Sequence, residues 1–266
     1  MPIASPELSI LMPVRDEAIN IPIMLKMLAA AVETPHEVLI IYDYQEDNSV
    51  VAAKSIQSKY PNLQLVYNDL GRGVLNALIK GIQVAKGEFV LITCVDDIGA
   101  LLAIDDMVCL LRQGCDFVSG TRYSHGGRRL AGSKLGTFLS TSANLIFSLC
   151  GSKLTDTTTG FKMFKRNRFT DLKLESKPVG WVVAFEIGIK AQLVGFKLGE
   201  VPILSIDRLY GGNSTFQPWP WFVEYSKWLF WGIRQLSKNG SAKSEVMVRI
   251  PQVTPRRFTS SLRKLF

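Results

Sequence analysis

Gly87-Glu88-Phe89-Val90-Leu91-Ile92-Thr93-Cys94-Val95-Asp96-Asp97 places an apolar run between a glycine stop and two adjacent carboxylates. Residues 88–94 read as a buried strand, because a short continuous apolar run bounded by breaks suits a parallel sheet covered on both faces. The same unit recurs upstream. Residues 8–12 are apolar and close at Pro13, residues 37–43 carry Val38-Leu39-Ile40-Ile41-Tyr42 at their centre, and residues 63–67 predict a third strand. Helical spacing separates them: Ile23, Met24, Met27, Leu28 and Ala31; then residues 47–60, capped by Asp47 or Asn48; then residues 74–85, stopped by Lys86-Gly87. Downstream, Ile104, Met107, Val108 and Leu111 mark a fourth helix, and residues 116–120 a fifth strand.

Strand and helix alternating in units of this length predict an α/β domain, with a mostly parallel sheet flanked by helices. Right-handed crossovers then bring the carboxyl ends of the strands to one edge, where ligands bind. Each strand is followed there by a polar cluster: residues 13–17, 43–47, 68–72, 96–97 and 121–122. After Gly120 the rhythm changes. Leu135, Phe138, Leu139, Ser142, Ile146 and Leu149 form a helical stripe, residues 156–161 a polar loop, residues 182–194 a helix, residues 198–206 a strand and residues 219–236 an aromatic helix. The organisation expected is one domain over residues 1–237 that changes character near residue 120, with a basic tail from 238.

The chain has 266 residues, is 47% hydrophobic and 20% charged, and carries a formal net charge of +8. That composition excludes a disordered chain and suits an anionic partner. Cys94, Cys109, Cys115 and Cys150 lack metal-ligand spacing, so reduced thiols and a cytosolic setting are expected. No signal peptide and no stretch of about 18 apolar residues is visible.

Asp96-Asp97 at the end of a strand offers hard oxygen ligands for magnesium or manganese, with substrate phosphates completing the shell. The plainer reading is a capping pair for the helix that follows. Gly71-Arg72-Gly73 opens a helix, where backbone can approach an anion, although such glycines are as often simple turns. Arg122, Arg128, Arg129, Lys134 and Lys162 surround Gly- and Thr-rich loops, a pattern of phosphate-gripping side chains or of a solvated basic surface. No Ser/His/Asp or Cys/His order points to a covalent nucleophile. Trp219, Trp221, Phe222, Tyr225, Trp228, Phe230 and Trp231 suit either a membrane interface or a packing helix, and Arg249, Arg256, Arg257, Arg263 and Lys264 favour a membrane surface.

Taken in order, these clusters resemble glycosyltransferase family 2, and within it the dolichol-phosphate mannose synthase-like group. The resemblance covers about residues 8–216. It rests on Met12-Pro13-Val14-Arg15-Asp16-Glu17, Tyr42-Asp43 with Asp47, Gly71-Arg72-Gly73, Asp96-Asp97, Gly120-Thr121-Arg122-Tyr123, Asp156-Thr157-Thr158-Thr159-Gly160-Phe161-Lys162, Glu186, Glu200-Val201-Pro202-Ile203 and Asp207-Arg208. It implies a single nucleotide-diphospho-sugar transferase domain of the GT-A type, with a donor-binding half near 8–120 and an acceptor-binding half near 121–237. Pro13, Arg15, Glu17, Asp43, Gly71, Arg72 and Gly73 would border the donor. Asp97, with Asp96, would hold the metal and diphosphate. Arg122, Lys134, Thr158, Thr159, Lys162 and Arg208 would meet the acceptor, with Asp97, Asp96, Arg122 and Lys162 as the catalytic set. The sequence departs from the family pattern at Val95 and Gly99, where metal ligands would stand, and at Thr141, where an arginine would follow Ser140.

The resemblance implies inverting transfer of a sugar from a GDP- or UDP-linked donor to a polyprenyl-phosphate lipid, at the cytoplasmic face of a membrane. A phosphate acceptor is largely ionised at neutral pH, its second pKa being about 6, and needs no strong base. The partners expected are donor, lipid acceptor and membrane surface, with a homo-oligomer or a membrane-protein partner as further options and no nucleic acid. Two other readings stand beside this one. Transfer to a sugar hydroxyl would need a carboxylate base, for which Asp156 and Asp96 are candidates. The depleted metal motif would also fit a non-catalytic nucleotide-binding partner.

Overall fold

The computed structural model describes residues 5–130, 134–206, 218–239 and 245–251. The strand-helix alternation is realised as β1 (Leu8–Pro13), α1 (Asn20–Ala31), β2 (His36–Tyr42), α2 (Asn48–Ile56), β3 (Leu63–Tyr67), α3 (Val74–Val84), β4 (Phe89–Ile92), α4 (Ile104–Arg112) and β5 (Phe117–Thr121). The second half adds β6 (Arg128–Arg129), α5 (Lys134–Leu149), β7 (Lys162–Lys165), α6 (Val183–Leu193), β8 (Leu198–Pro202), β9 (Leu204–Ser205), α7 (Pro218–Asn239) and β10 (Met247–Val248).

Eight strands form one sheet in the order β10-β8-β5-β7-β4-β1-β2-β3, while β6 and β9 pair separately. All neighbours in the large sheet are parallel except β7, which runs antiparallel between β4 and β5. The central strands are buried on both faces, as their unbroken apolar runs require. One face carries a core of Ile10, Met12, Leu25, Ile40, Leu91, Met107 and Val118. The other carries Leu11, Leu39, Ile41, Leu78, Phe117, Phe164 and Ile187. On that second face α3 lies close because Gly81 has no side chain; a Cβ there would fall 2.6 Å from Ile41. Asp47 caps α2 as expected, accepting the Ser49 N–H at 2.8 Å.

Three features depart from the sequence reading. The strand expected at residues 198–206 is split into β8 and β9, which lie in different sheets. The polar loop ahead of residue 162 runs into β7, a strand too short and too charged to stand out in the sequence. The expected tail also returns to the sheet, since Met247 and Val248 pair with Gly199 and Glu200 of β8. Arg249 then lies against Asp106 of α4 in an ion pair rather than in a free basic segment. Arg256, Arg257, Arg263 and Lys264 lie outside the described residues, as do Asp207 and Arg208.

Candidate active site

The polar clusters meet at the carboxyl edge of the sheet. On the side of β1–β3 the loop after Pro13 is clamped to the start of α2. Asp16 donates its N–H to Asp47 at 3.1 Å, Glu17 to Ser49 Oγ at 2.8 Å and Ala18 to Asn48 at 3.1 Å. Asp43, at the end of β2, accepts the Gly73 N–H through Oδ2 at 3.2 Å. Its Oδ1 is buried with no hydrogen-bond partner among the described residues. A buried carboxylate oxygen left this way is costly unless a ligand supplies the donor. Tyr44, which the sequence reading passed over, lies between two cations. The guanidinium carbons of Arg15 and Arg72 stand 5.8 and 5.6 Å from its ring centroid, and its hydroxyl donates to Asp16. Arg15, Gly71 and Arg72 are exposed, while Pro13, Glu17, Asp43 and Gly73 are half-buried.

At the centre, Asp96 and Asp97 follow β4 and are both half-buried. They do not cap the short helix at Gly99–Ala103, which has no side-chain cap. Asp97 instead accepts the Ser205 hydroxyl at 3.1 Å and the Ile206 N–H at 3.2 Å, tying the pair to the end of β9. The two departures from the metal motif acquire a physical cause here. Val95 is 3% exposed and packs into the core. A Cβ on Gly99 would fall 2.2 Å from the Leu204 carbonyl oxygen, so β9 occupies the space of a side chain. Among the described residues no three His, Cys, Asp or Glu side chains gather as a metal cage. Two adjacent carboxylates still fit a cation that shares its shell with substrate phosphate oxygens and water, as magnesium does.

On the side of β5, β7 and β8 the charges are buried and mutually satisfied. Asp156 is fully buried and accepts the Arg122 Nε and Nη2 at 2.7 and 3.0 Å, the Arg122 N–H at 3.1 Å and Asn144 Nδ2 at 3.0 Å. The Thr158 and Thr159 N–H groups add bonds of 3.2 Å each. Burial alone would raise the Asp156 carboxyl, but Arg122, with Lys162 nearby, brings it down to about 2. Arg122 Nη2 also reaches Thr158 Oγ1 at 2.7 Å and Ser140 Oγ at 3.2 Å. The Tyr123 hydroxyl donates to Ser140 at 2.9 Å. A guanidinium and three hydroxyls from the loop after β5, from α5 and from the threonine loop thus converge.

Lys162 does not belong to that surface, contrary to the expectation that it meets the acceptor. It lies in β7, is 0% exposed and donates Nζ to Ser119 Oγ and the Thr157 carbonyl, each at 3.3 Å. Burial pushes its pKa down to about 8, against the pull of Asp156. Its place is beneath the threonine loop, as internal countercharge. Thr159 is likewise buried, its hydroxyl accepting the Phe161 N–H at 3.2 Å. Lys134 is exposed at the start of α5, six residues ahead of Ser140, about 9 Å along the helix axis. Glu200 is 1% exposed and accepts the Thr155 N–H at 2.7 Å; burial pushes it up to about 7 despite that bond. Glu186 is also fully buried, beneath the loop at residues 175–176.

A mostly parallel sheet with polar loops at its carboxyl edge, a carboxylate pair after the central strand and a basic hydroxyl-rich cluster beyond is the architecture of a GT-A nucleotide-sugar transferase. The chain belongs to glycosyl transferase family 2, whose family model matches residues 9–172. It is 21% identical over 206 residues to a dolichol-phosphate mannosyltransferase of Mycosarcoma maydis, covering 75% of this chain and 70% of that protein. It is 22% identical over 231 residues to the dolichol-phosphate mannosyltransferase of Pyrococcus furiosus, covering 84% of this chain and 64% of that longer relative. The fold matches glucosyl-3-phosphoglycerate synthase from Mycobacterium tuberculosis, crystallised with Mn2+, UDP and glucosyl-3-phosphoglycerate. The TM-score is 0.64 at 16% identity, over 91% of this chain and 82% of that one. The chain is therefore a glycosyltransferase, which sets aside the reading as a non-catalytic nucleotide-binding protein.

Proposed function

We propose that this glycosyltransferase moves a sugar, with inversion, from a nucleotide-sugar to a polyprenyl-phosphate lipid. The observation that carries the reading is the state of Asp156. The carboxylate nearest the acceptor-side hydroxyls is fully buried, held by Arg122 and brought down to about 2. A carboxylate so enclosed, with its oxygens already bonded by Arg122, Asn144 and the threonine loop, is out of reach of a sugar hydroxyl's proton. An acceptor that arrives already ionised needs no such base, and a phosphate monoester is one. The names of the two dolichol-phosphate mannosyltransferase relatives support the same acceptor class.

In this mechanism Asp43 offers Oδ1, which has no partner among the described residues, to an N–H or hydroxyl of the nucleoside, and Tyr44 with Arg15 and Arg72 forms the wall beside it. Gly73 at the start of α3 brings backbone close to the donor. Asp97, with Asp96, would hold a divalent cation, magnesium or manganese, whose chemistry is to neutralise diphosphate charge. Ser205 and the Ile206 N–H fix the Asp97 carboxylate for that task. Arg122, Ser140, Thr158 and Tyr123 orient the acceptor phosphate for in-line attack at the anomeric carbon, so the rate comes from positioning two anions.

A polyprenyl tail stays in the bilayer, so the enzyme would meet its lipid at the membrane surface; no helix among the described residues is long and apolar enough to cross a membrane. Much of the aromatic helix faces inward: Trp228 is buried, and Trp221, Tyr225 and Trp231 are half-buried. Outward apolar side chains instead lie on α5, at Leu135, Phe138, Leu139, Leu145 and Leu149, and on α7, at Phe222, Val223 and Phe230. Residues 121–155 contain Arg122, Arg128, Arg129, Lys134 and Lys153 and no acidic residue, which suits an anionic surface. Transfer assays with radiolabelled UDP- and GDP-sugars should label polyprenyl phosphate and not a neutral oligosaccharide. Labelling of the oligosaccharide alone would establish the hydroxyl-acceptor alternative, with Asp96 as the remaining candidate base.

A further inference from the structure

The segment joining the short helix at Arg166–Leu172 to α6 touches both halves of the active-site edge and rests on α7. From beneath, the buried Glu186 carboxylate accepts the N–H groups of Glu175 at 2.6 Å and Ser176 at 2.9 Å. Lys190 braces that carboxylate at 2.7 Å and lies 5.9 Å from the ring centroids of Trp228 and Trp231. From α7, Tyr225 accepts the Trp181 N–H on its hydroxyl at 3.0 Å, and Glu224 receives Trp228 Nε1 at 3.0 Å and the Lys177 N–H at 3.4 Å. Gly180, at φ +54, lets the Trp221 ring lie against the backbone; a Cβ there would be 2.8 Å from that ring.

The other side of the segment presses on the site. A Cβ on Gly73 would fall 2.1 Å from the Pro178 carbonyl oxygen, and Gly73 is the residue whose N–H holds Asp43. A Cβ on Gly160 would fall 2.9 Å from the Trp181 ring, and Gly160 follows the threonine loop. Both glycines are therefore contact points that admit the segment, beyond any turn they make. Tyr225 itself is fixed by Trp221, stacked at 6.0 Å, and by Phe185, edge-on at 5.3 Å.

We propose that residues 175–181 form a positioning strap through which α7 sets the geometry of the donor loop, with Tyr225 as its positioning residue. Displacement of α7 moves the Trp181 backbone, and the strap carries that motion through Pro178 to Gly73 and Asp43. The choice of nucleotide as probe rests on the proposed function; the mechanical coupling does not.

Tyr225→Phe keeps the ring contacts and removes the acceptor for the Trp181 N–H. In the full chain, hydrogen exchange should quicken at residues 175–181 and also at 71–73, with the global melting temperature nearly unchanged. Affinity for UDP or GDP in the presence of manganese, measured by calorimetry, should fall about fivefold, the size expected from one hydrogen bond. Pro178→Gly, which leaves α7 intact, should quicken exchange at 71–73 as well and serves if Tyr225→Phe folds poorly. Wild-type exchange at 71–73 in the folded variants would overturn the proposal, as would unchanged nucleotide affinity in both. Wild-type protein that binds neither nucleotide contradicts the donor reading, and the exchange comparison still decides the coupling.

Discussion

The two sides of the active-site edge differ in how their polar groups are satisfied. Beside β1–β3, Asp43 keeps a buried oxygen without a partner among the described residues, and exposed Arg15 and Arg72 flank Tyr44. Beside β5 and β7, Asp156 is bonded by Arg122, Asn144, Thr158 and Thr159, and Lys162 is sealed below. On the proposed reading, the nucleotide completes the first side. The second is organised before any ligand arrives, presenting Arg122, Tyr123, Ser140 and Thr158 in fixed relation. That division suits a reaction in which one anionic substrate is wrapped and the other is aligned.

The largest effect expected lies where the two sides meet. Asp97→Ala should abolish turnover, because Asp97 is the carboxylate held by Ser205 and Ile206. Asp96→Ala should leave measurable activity. Equal and mild losses in steady-state assays would show that this pair does not hold the donor diphosphate. Next comes the sealed side. Asp156→Asn leaves Arg122 and Lys162 without their buried countercharge and should cost about 3–5 kcal/mol in denaturant unfolding. Asp43→Asn, on the ligand-completed side, should cost far less stability and weaken nucleotide binding instead. Similar stability losses from both would erase the contrast.

A smaller effect concerns pH. Glu200 rises from an ordinary carboxyl value to about 7 on burial. Below about pH 4.5 it is protonated in both folded and unfolded chains and costs nothing; as pH rises to 7 the folded state increasingly disfavours ionisation, so stability is lost. Lys162, lowered to about 8, is charged throughout pH 5–7 and so adds no slope there. Glu200→Gln should therefore gain melting temperature relative to wild type between pH 5 and pH 7.5. A pH-independent difference would show that Glu200 keeps an ordinary pKa.

The fold was legible where apolar runs end at glycine, proline or a cap. β1 to β5 and α1 to α4 lie where Pro13, Asp47 and Lys86-Gly87 predict breaks. β7 was not, because Lys162-Met163-Phe164-Lys165 is four residues flanked by charge and gains its place only from β4 and β5. Lys162 was misplaced for the same reason: in a sequence a lysine reads as surface, and only the pairing of β7 shows it turned inward toward Ser119 and Thr157. Tyr44 and the strap at 175–181 escaped, and Tyr123 was read only as part of a motif, because their roles depend on contacts between distant segments. The absence of a side chain at Gly73 and Gly160 creates room that no local pattern records.

The alignment role of the acceptor side is tested most directly by steady-state kinetics of Arg122→Ala, varying nucleotide-sugar and polyprenyl phosphate separately. The account predicts a KM for the lipid phosphate raised at least about tenfold, the scale of a lost charge-assisted contact, with the KM for the nucleotide-sugar nearly unchanged. A variant whose donor KM rises while its lipid-phosphate KM stays at the wild-type value would contradict it.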